Sequence, residues 1–287
     1  MSLENTTLLV GTGRSGTSWL ANLINHRNEY QYVFEPFNTR RCRSLARWRY
    51  RQYIPPENKD LDRLRLVESI LSGRVREVGW TDKFNQNWSS NRILVKSIRA
   101  HHLMGWIKNH FPEIKLVLLL RYPGIVAESK MALGWEIHID EFLSQEDLVR
   151  DYFKPFLPEI QKIKDPFEQH ILFWCMENYI PLKQLPKEED LHVIFYEDLC
   201  RIGEKVLEEL FTYTGQEFCE EFRASVEKNL KRPSELCRKD SIIRKGKNPL
   251  IQYSDPKTIR NHEKVKRILE IFGLEVLYRD LRRFEYE

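Results

Sequence analysis

An α/β fold in three layers, a central parallel sheet flanked by helices, is what this sequence predicts, and three observations carry the prediction. Short apolar runs far apart in the chain read as buried strands: Leu8 to Val10, Tyr32 to Phe34, Ile93 to Val95, Lys115 to Leu120 and Val193 to Phe195. Segments with helical spacing of apolar residues lie between and after them. A glycine-rich loop, Gly11 to Gly16, joins the first apolar run directly to one of those helices. Strands that alternate with helices build a parallel sheet covered on both faces.

Taken in chain order, Leu8 to Val10 is the first strand, and Gly11, Gly13 and Gly16 allow the close backbone approach that an anion cradle needs. A helix over Thr17 to His26 then aims its free N–H groups and positive dipole end at the same point. The second strand ends in Phe34-Glu35-Pro36-Phe37, and Arg40, Arg41, Arg43, Arg47, Arg49 and Arg51 follow, interleaved with Trp48, Tyr50 and Tyr53. That stretch reads either as a solvated surface helix or as a grip on an anionic glycan or single-stranded nucleic acid, through pairing and stacking. Ile93 to Val95 leads into Lys96-Ser97-Ile98-Arg99, and a helix is expected over His101 to His110. Lys115 to Leu120 is too short to span a membrane and reads as a core strand. Arg121 ends it, Pro123 suits a first helical turn, and a helix over Gly124 to Ala132 places Ser129 eight residues after Arg121. Trp174 and Tyr179 belong to a helix ahead of the strand Val193 to Phe195, which leaves into Tyr196-Glu197-Asp198-Leu199. Further helices are expected over Gly203 to Thr214 and over His262 to Phe272, where Val265, Ile268, Leu269 and Phe272 share one face, a core stripe.

The 287 residues, 41% hydrophobic and 31% charged, suit a globular protein, and without a linker or internal repeat the expectation is one domain over residues 1–287. A net charge of +4 is mild for a nucleic-acid binder, so none is expected as a partner. Five cysteines, an odd number without metal-ligand spacing, read as reduced thiols, and no metal site is expected. No signal peptide or membrane span is legible ahead of the first strand. Together these predict a cytoplasmic, bacterial protein.

Against the P-loop pattern G-x-x-x-x-G-K-S/T, the spacing from Gly11 to Gly16 fits, but Thr17 stands where the lysine would be. The loop is P-loop-like, with Arg14 as its cation and Ser15, Thr17 and Ser18 as its hydroxyls, which suits a short phosphate chain held without metal. Arg14-Ser15-Gly16-Thr17-Ser18-Trp19 resembles the loop of sulfotransferases that use 3'-phosphoadenosine 5'-phosphosulfate (PAPS). There, a basic residue, a hydroxyl residue, glycine, two hydroxyl residues and an aromatic bind the 5'-phosphosulfate. Arg121 with Ser129 is similar to the family's 3'-phosphate site, Tyr196 to its adenine-side tyrosine, and Arg244-Lys245-Gly246 to the loop that closes over the 3'-phosphate. Glu197 and Asp198 read equally well as caps of the next helix.

The resemblance covers residues 7 to about 246 and implies sulfuryl transfer from PAPS to a hydroxyl acceptor, leaving adenosine 3',5'-bisphosphate (PAP). Members acting on phenols carry a histidine two residues after the lysine that aligns with Lys96; here Ile98 stands there and cannot take a proton. His101 and His102 lie nearby but read as packed or surface histidines. Phe34-Glu35-Pro36 is instead similar to the F-E-P of carbohydrate-type members, and Val95 to Arg99 to their K-D-V-R. A glycan or glycolipid acceptor is therefore expected, with Glu35 as base and its flanking Phe34, Pro36 and Phe37 raising its pKa by desolvation. Arg14, the loop amides and Lys96 are expected to meet the charge on the leaving oxygen, preset donors of this kind contributing ~3 kcal/mol each. Two other classes stay open: a nucleotide kinase using the same loop, and a non-catalytic nucleotide- or nucleic-acid-binding module.

Overall fold

The computed structural model describes residues 3–237 and 242–279. Five parallel strands, β1 (Thr6–Val10), β2 (Tyr30–Phe34), β3 (Arg92–Ser97), β4 (Lys115–Leu120) and β5 (His192–Phe195), form one sheet in the order β2-β3-β1-β4-β5. Between and after them run α1 (Thr17–Ile24), α2 (Leu61–Leu71), α3 (Met104–His110), α4 (Pro123–Met131), α5 (Pro166–Gln184), α6 (Tyr196–Thr214), α7 (Glu220–Lys231) and α8 (Pro256–Ile271), with short helical turns elsewhere.

Strand alternation sorts the side chains into the two outer layers. Leu8, Val10, Leu116, Leu118 and Leu120 face a cluster made with α2, α3, α4, α5 and α8, while Leu9, Val117 and Leu119 face one made with α1, α6 and α7. All eight are fully buried, each side chain contributing about 1.5–3 kcal/mol. The sheet is thus covered on both sides, which explains why β4 is a continuous apolar run with no polar alternation.

The expected helices are present with shifted ends. α1 stops at Ile24, two residues short of His26, because the Asn25 side chain turns away to accept from the Tyr30 amide at 2.9 Å and starts β2. The stretch expected as a helix from His101 opens as a 3-10 turn, His101–Leu103, before α3. α6 begins at Tyr196 but breaks at Ile202, so Gly203 to Thr214 is its second, regular segment. α8 starts at Pro256, six residues ahead of His262, where the Asp255 carboxylate caps the Lys257 amide at 2.8 Å. The Arg40 to Arg51 stretch is no helix; it is a turn-rich loop with one 3-10 turn at Arg43–Leu45. Its Arg51 is buried in an ion pair with Glu177 at 2.7 Å, and the Tyr50 ring carries the guanidinium groups of Arg40 and Arg51 on its faces. Among the described residues, no helix is long and apolar enough to cross a membrane.

Candidate active site

β1 sits between β3 and β4, where the strand order reverses, so the loops after β1, β3 and β4 converge at the carboxyl edge of the sheet. They line a cleft of about 690 Å³, to which β2 contributes Phe34 and Glu35. The loop after β1 is held by two bonds to Thr12: its carbonyl accepts from the Ser15 amide at 3.0 Å, and its hydroxyl accepts from the Asn178 side chain at 3.0 Å. Gly16 ends the loop at φ 97°, the left-handed region, directly before α1. A Cβ at Gly16 would stand 2.9 Å from the Tyr196 ring, and one at Gly13 would stand 2.8 Å from the Trp135 ring. Gly13, Arg14, Gly16, Thr17, Ser18 and Trp19 all line the cleft. The first amides of α1 have no partner within the helix and add its positive dipole end.

Arg121 and Ser129 come to this same cleft from β4 and α4. The Arg14 Nε donates to the Ser129 hydroxyl at 3.2 Å, and the Arg121 guanidinium donates to the Arg14 carbonyl at 3.3 Å. Arg121 also lies 4.0 Å from the centre of the Tyr196 ring, which in turn packs against Trp19 at 5.3 Å. Ser15 Oγ, Trp19 Nε1 and Arg121 Nε are buried without a hydrogen-bond partner among the described residues. A buried polar group left unpaired costs about 1–3 kcal/mol, and three of them at the glycine loop and the end of β4 fit a polyanionic nucleotide well.

The tail of the expected nucleotide site is placed differently. Ile242 and Ile243 line the cleft, whereas Arg244, Lys245 and Gly246 are exposed and outside its lining, with Arg244 Nε donating to the Cys237 carbonyl at 3.1 Å. Neither Glu197 nor Asp198 caps α6. Glu197 is fully buried and accepts from the Tyr122 amide at 2.8 Å and from the Tyr253 hydroxyl, fastening the loop after β4 to the C-terminal part of the fold. Asp198 pairs with Arg201 at 3.0 Å.

Glu35 follows β2 with φ 48°, a left-handed conformation uncommon for a non-glycine residue. Its amide donates to the Lys96 carbonyl at 2.8 Å, continuing the β2–β3 ladder and turning the carboxylate over the end of β3. There Oε1 takes the Lys96 ammonium at 2.6 Å, Oε2 takes Arg99 Nη1 at 2.8 Å, and the Ile98 amide donates at 3.1 Å. Burial of the side chain, 2% exposed, pushes its pKa up, but Lys96, Arg99 and the Ile98 amide outweigh that and hold it below the ordinary glutamate value. The upward shift expected from the flanking aromatics is therefore corrected, since those neighbours desolvate the group while β3 and the turn after it supply two cations. Burial likewise lowers the pKa of Lys96, against the pull of Glu35.

His101 and His102 are buried away from the cleft, the latter facing the Met176 carbonyl at 3.0 Å, and burial lowers both to about 4. They are core histidines. Trp80, Lys83 and Trp135 also line the cleft, and Arg99 is a partner of Glu35, none of which was expected from the sequence. Only Arg99 carried a signal, three residues after Lys96 at the end of a strand.

Residues 7–220 match the model described as the sulfotransferase family. No curated protein matches the sequence. Among solved structures the chain is similar to a mouse sulfotransferase complexed with PAP, at 16% identity over 99% of this chain and 90% of that one, with a TM-score of 0.50. It is also similar to a Mycobacterium avium sulfotransferase, at 12% identity over 100% and 78%, TM-score 0.47. A third is the sulfotransferase domain of a Synechococcus olefin synthase, at 16% identity over 93% and 94%, TM-score 0.45.

Proposed function

The chain belongs to the sulfotransferase family, and from that premise we propose that it transfers a sulfuryl group from PAPS to an acceptor hydroxyl on a glycan or glycolipid. The bound donor supplies the electrophilic sulfur and a bisphosphate leaving group. Gly13, Arg14, Ser15, Gly16, Thr17, Ser18 and Trp19 hold the 5'-phosphosulfate. Arg121 and Ser129 hold the 3'-phosphate, Tyr196 lies against the adenine, and Arg244-Lys245-Gly246 folds over the 3'-phosphate on binding. Anchoring both phosphates fixes the register of the reacting centre, a positioning role.

Glu35 takes the proton of the acceptor hydroxyl as the oxygen–sulfur bond forms and the bond from sulfur to the phosphate oxygen breaks. Held ionised by Lys96 and Arg99, Glu35 is a weak base but is always in its accepting form at neutral pH. Protonation cancels its charge and loosens its 2.6 Å ion pair with Lys96, freeing the ammonium to join Arg14 where negative charge collects on the leaving oxygen. The observation that carries this reading is the convergence of Glu35, Lys96 and Arg14 on one cleft with the glycine loop. Phe34-Glu35-Pro36, similar to carbohydrate-type members, supports the glycan acceptor. The odd cysteine count without metal-ligand spacing favours a reducing, cytoplasmic setting, with residues 1–287 acting as one domain.

Glu35→Gln keeps the shape of the side chain and removes its proton affinity. Turnover with PAPS should fall by roughly a hundredfold or more while PAP binding, measured by calorimetry, stays at the parental level. His101→Ala and His102→Ala should not remove the activity specifically. Near-parental turnover in Glu35→Gln would take the base role from this residue.

A further inference from the structure

A second cavity, of about 330 Å³, adjoins the cleft and shares Ile98, Arg99 and Trp135 with it. Its wall carries several charged side chains, and of its lysines and arginines all but one are matched among the described residues. Arg51 is paired with Glu177 at 2.7 Å, Arg40 with Glu141 at 3.4 Å, Arg99 with Glu35 at 2.8 Å, and Glu136 stands 3.6 Å from His138. The exception is Lys130, in the last turn of α4. It is 3% exposed, its ammonium has no hydrogen-bond or ion-pair partner among the described residues, and it lies 4.7 Å from the centre of the Phe173 ring. His170 lines the same cavity, buried, with its Nδ1 lacking a partner among the described residues.

A buried ammonium without a counter-ion is costly. Burial pushes Lys130 down to about 8, with Glu177, already held by Arg51, pulling the other way. One unmatched cation and one unsatisfied ring nitrogen in a cavity continuous with the reacting centre call for an anion carrying a single charge. A dianion would leave one charge unmatched.

We propose that this cavity is the subsite for an anionic group carried by the acceptor itself, so that the acceptor is a hydroxyl compound bearing a carboxylate or a sulfate ester, bound by Lys130 with His170 beside it. The proposal rests on the sulfotransferase reading of the main cleft and names the substrate class of that site. Lys130 selects the acceptor by its charge, while the shared wall at Ile98, Arg99 and Trp135 lets the molecule reach from this cavity to Glu35.

The test is calorimetry on PAP-saturated protein at constant ionic strength, with D-glucuronate and D-glucose 6-sulfate against D-glucose, and 4-hydroxybenzoate against 4-hydroxybenzamide. At least one charged probe should bind tenfold or more tighter than its neutral counterpart, the sugar arms showing whether carboxylate or sulfate ester is preferred. Lys130→Gln should remove that advantage and leave PAP affinity unchanged. Because the parental ammonium is unpaired, Lys130→Met should melt no lower than the parent. The proposal is overturned if no charged probe outbinds its neutral counterpart, if the advantage survives in Lys130→Gln, or if Lys130→Met melts well below the parent. Failure of the parent to bind PAP at all is a different result and removes the sulfotransferase reading instead.

Discussion

Glu35 owes its chemistry to three neighbours that arrive from another strand. Lys96, Arg99 and the Ile98 amide hold the carboxyl below its ordinary pKa, so with Glu35 as the proposed base the acid limb of the rate profile should fall below about pH 4.5. Protonation then removes the accepting form. A limb near pH 6 in the parent would contradict that electrostatic account. The place of Glu35 at the end of a strand was legible in the sequence because an apolar run stops there; its pKa direction was not, because both cations lie more than sixty positions away. Arg121 and Ser129 give a second expectation at this scale. Arg121→Ala should weaken PAP binding by roughly 2 kcal/mol or more, since it deletes a charge-assisted hydrogen bond to phosphate, and Ser129→Ala by about 1 kcal/mol, since it deletes a neutral one. Calorimetric titration of both variants checks the order; equal, parental affinities would move the 3'-phosphate elsewhere.

The element that organises the site is the turn from β1 into α1. Gly16 is held at φ 97° with the Tyr196 ring 2.9 Å from where a Cβ would stand, so Gly16→Ala meets both a backbone penalty and a steric one. The substitution should destabilise the protein by about 1–3 kcal/mol and lower PAP affinity at least tenfold, read by denaturant titration and calorimetry. Parental affinity would mean that the loop is not the phosphate cradle. This turn was legible because strand, glycines, hydroxyls and helix follow one another in sequence. Trp135, which packs over Gly13, was not, since its loop follows α4 and nothing local marks it as a cleft residue. The same distinction explains the early start of α8, whose cap at Asp255-Pro256 is a two-residue signal ahead of the apolar stripe. It also explains the Arg40 to Arg51 loop, which ties itself down through partners such as Glu177 and Glu141 far along the chain.

At the scale of the whole molecule, the sheet brings together a charged interior as well as a site. His101 and His102 are held neutral, with pKa values near 4 against an ordinary 6.5, so the unfolded chain binds protons that the folded one refuses. Their contribution to stability is fully present above about pH 6.5 and is lost as the pH falls toward 4. Glu177, lowered to about 2 chiefly by Arg51 against its own burial, adds stability that is present above about pH 4.5 and lost as the pH falls toward 2. Denaturant titration should therefore give a lower unfolding free energy at pH 5 than at pH 7, by up to roughly 2 kcal/mol for each histidine. A flat profile over that range would contradict the buried neutral histidines. On the proposed reading the cleft receives a nucleotide bisphosphate through an arginine-bearing loop that lacks the P-loop lysine. Calorimetric titration of the full chain with PAP and with ATP, each with magnesium and with chelator, tests it most directly. PAP should bind more tightly than ATP, with an affinity that chelator leaves unchanged; tighter, magnesium-dependent binding of ATP would instead mark the cleft as a triphosphate site.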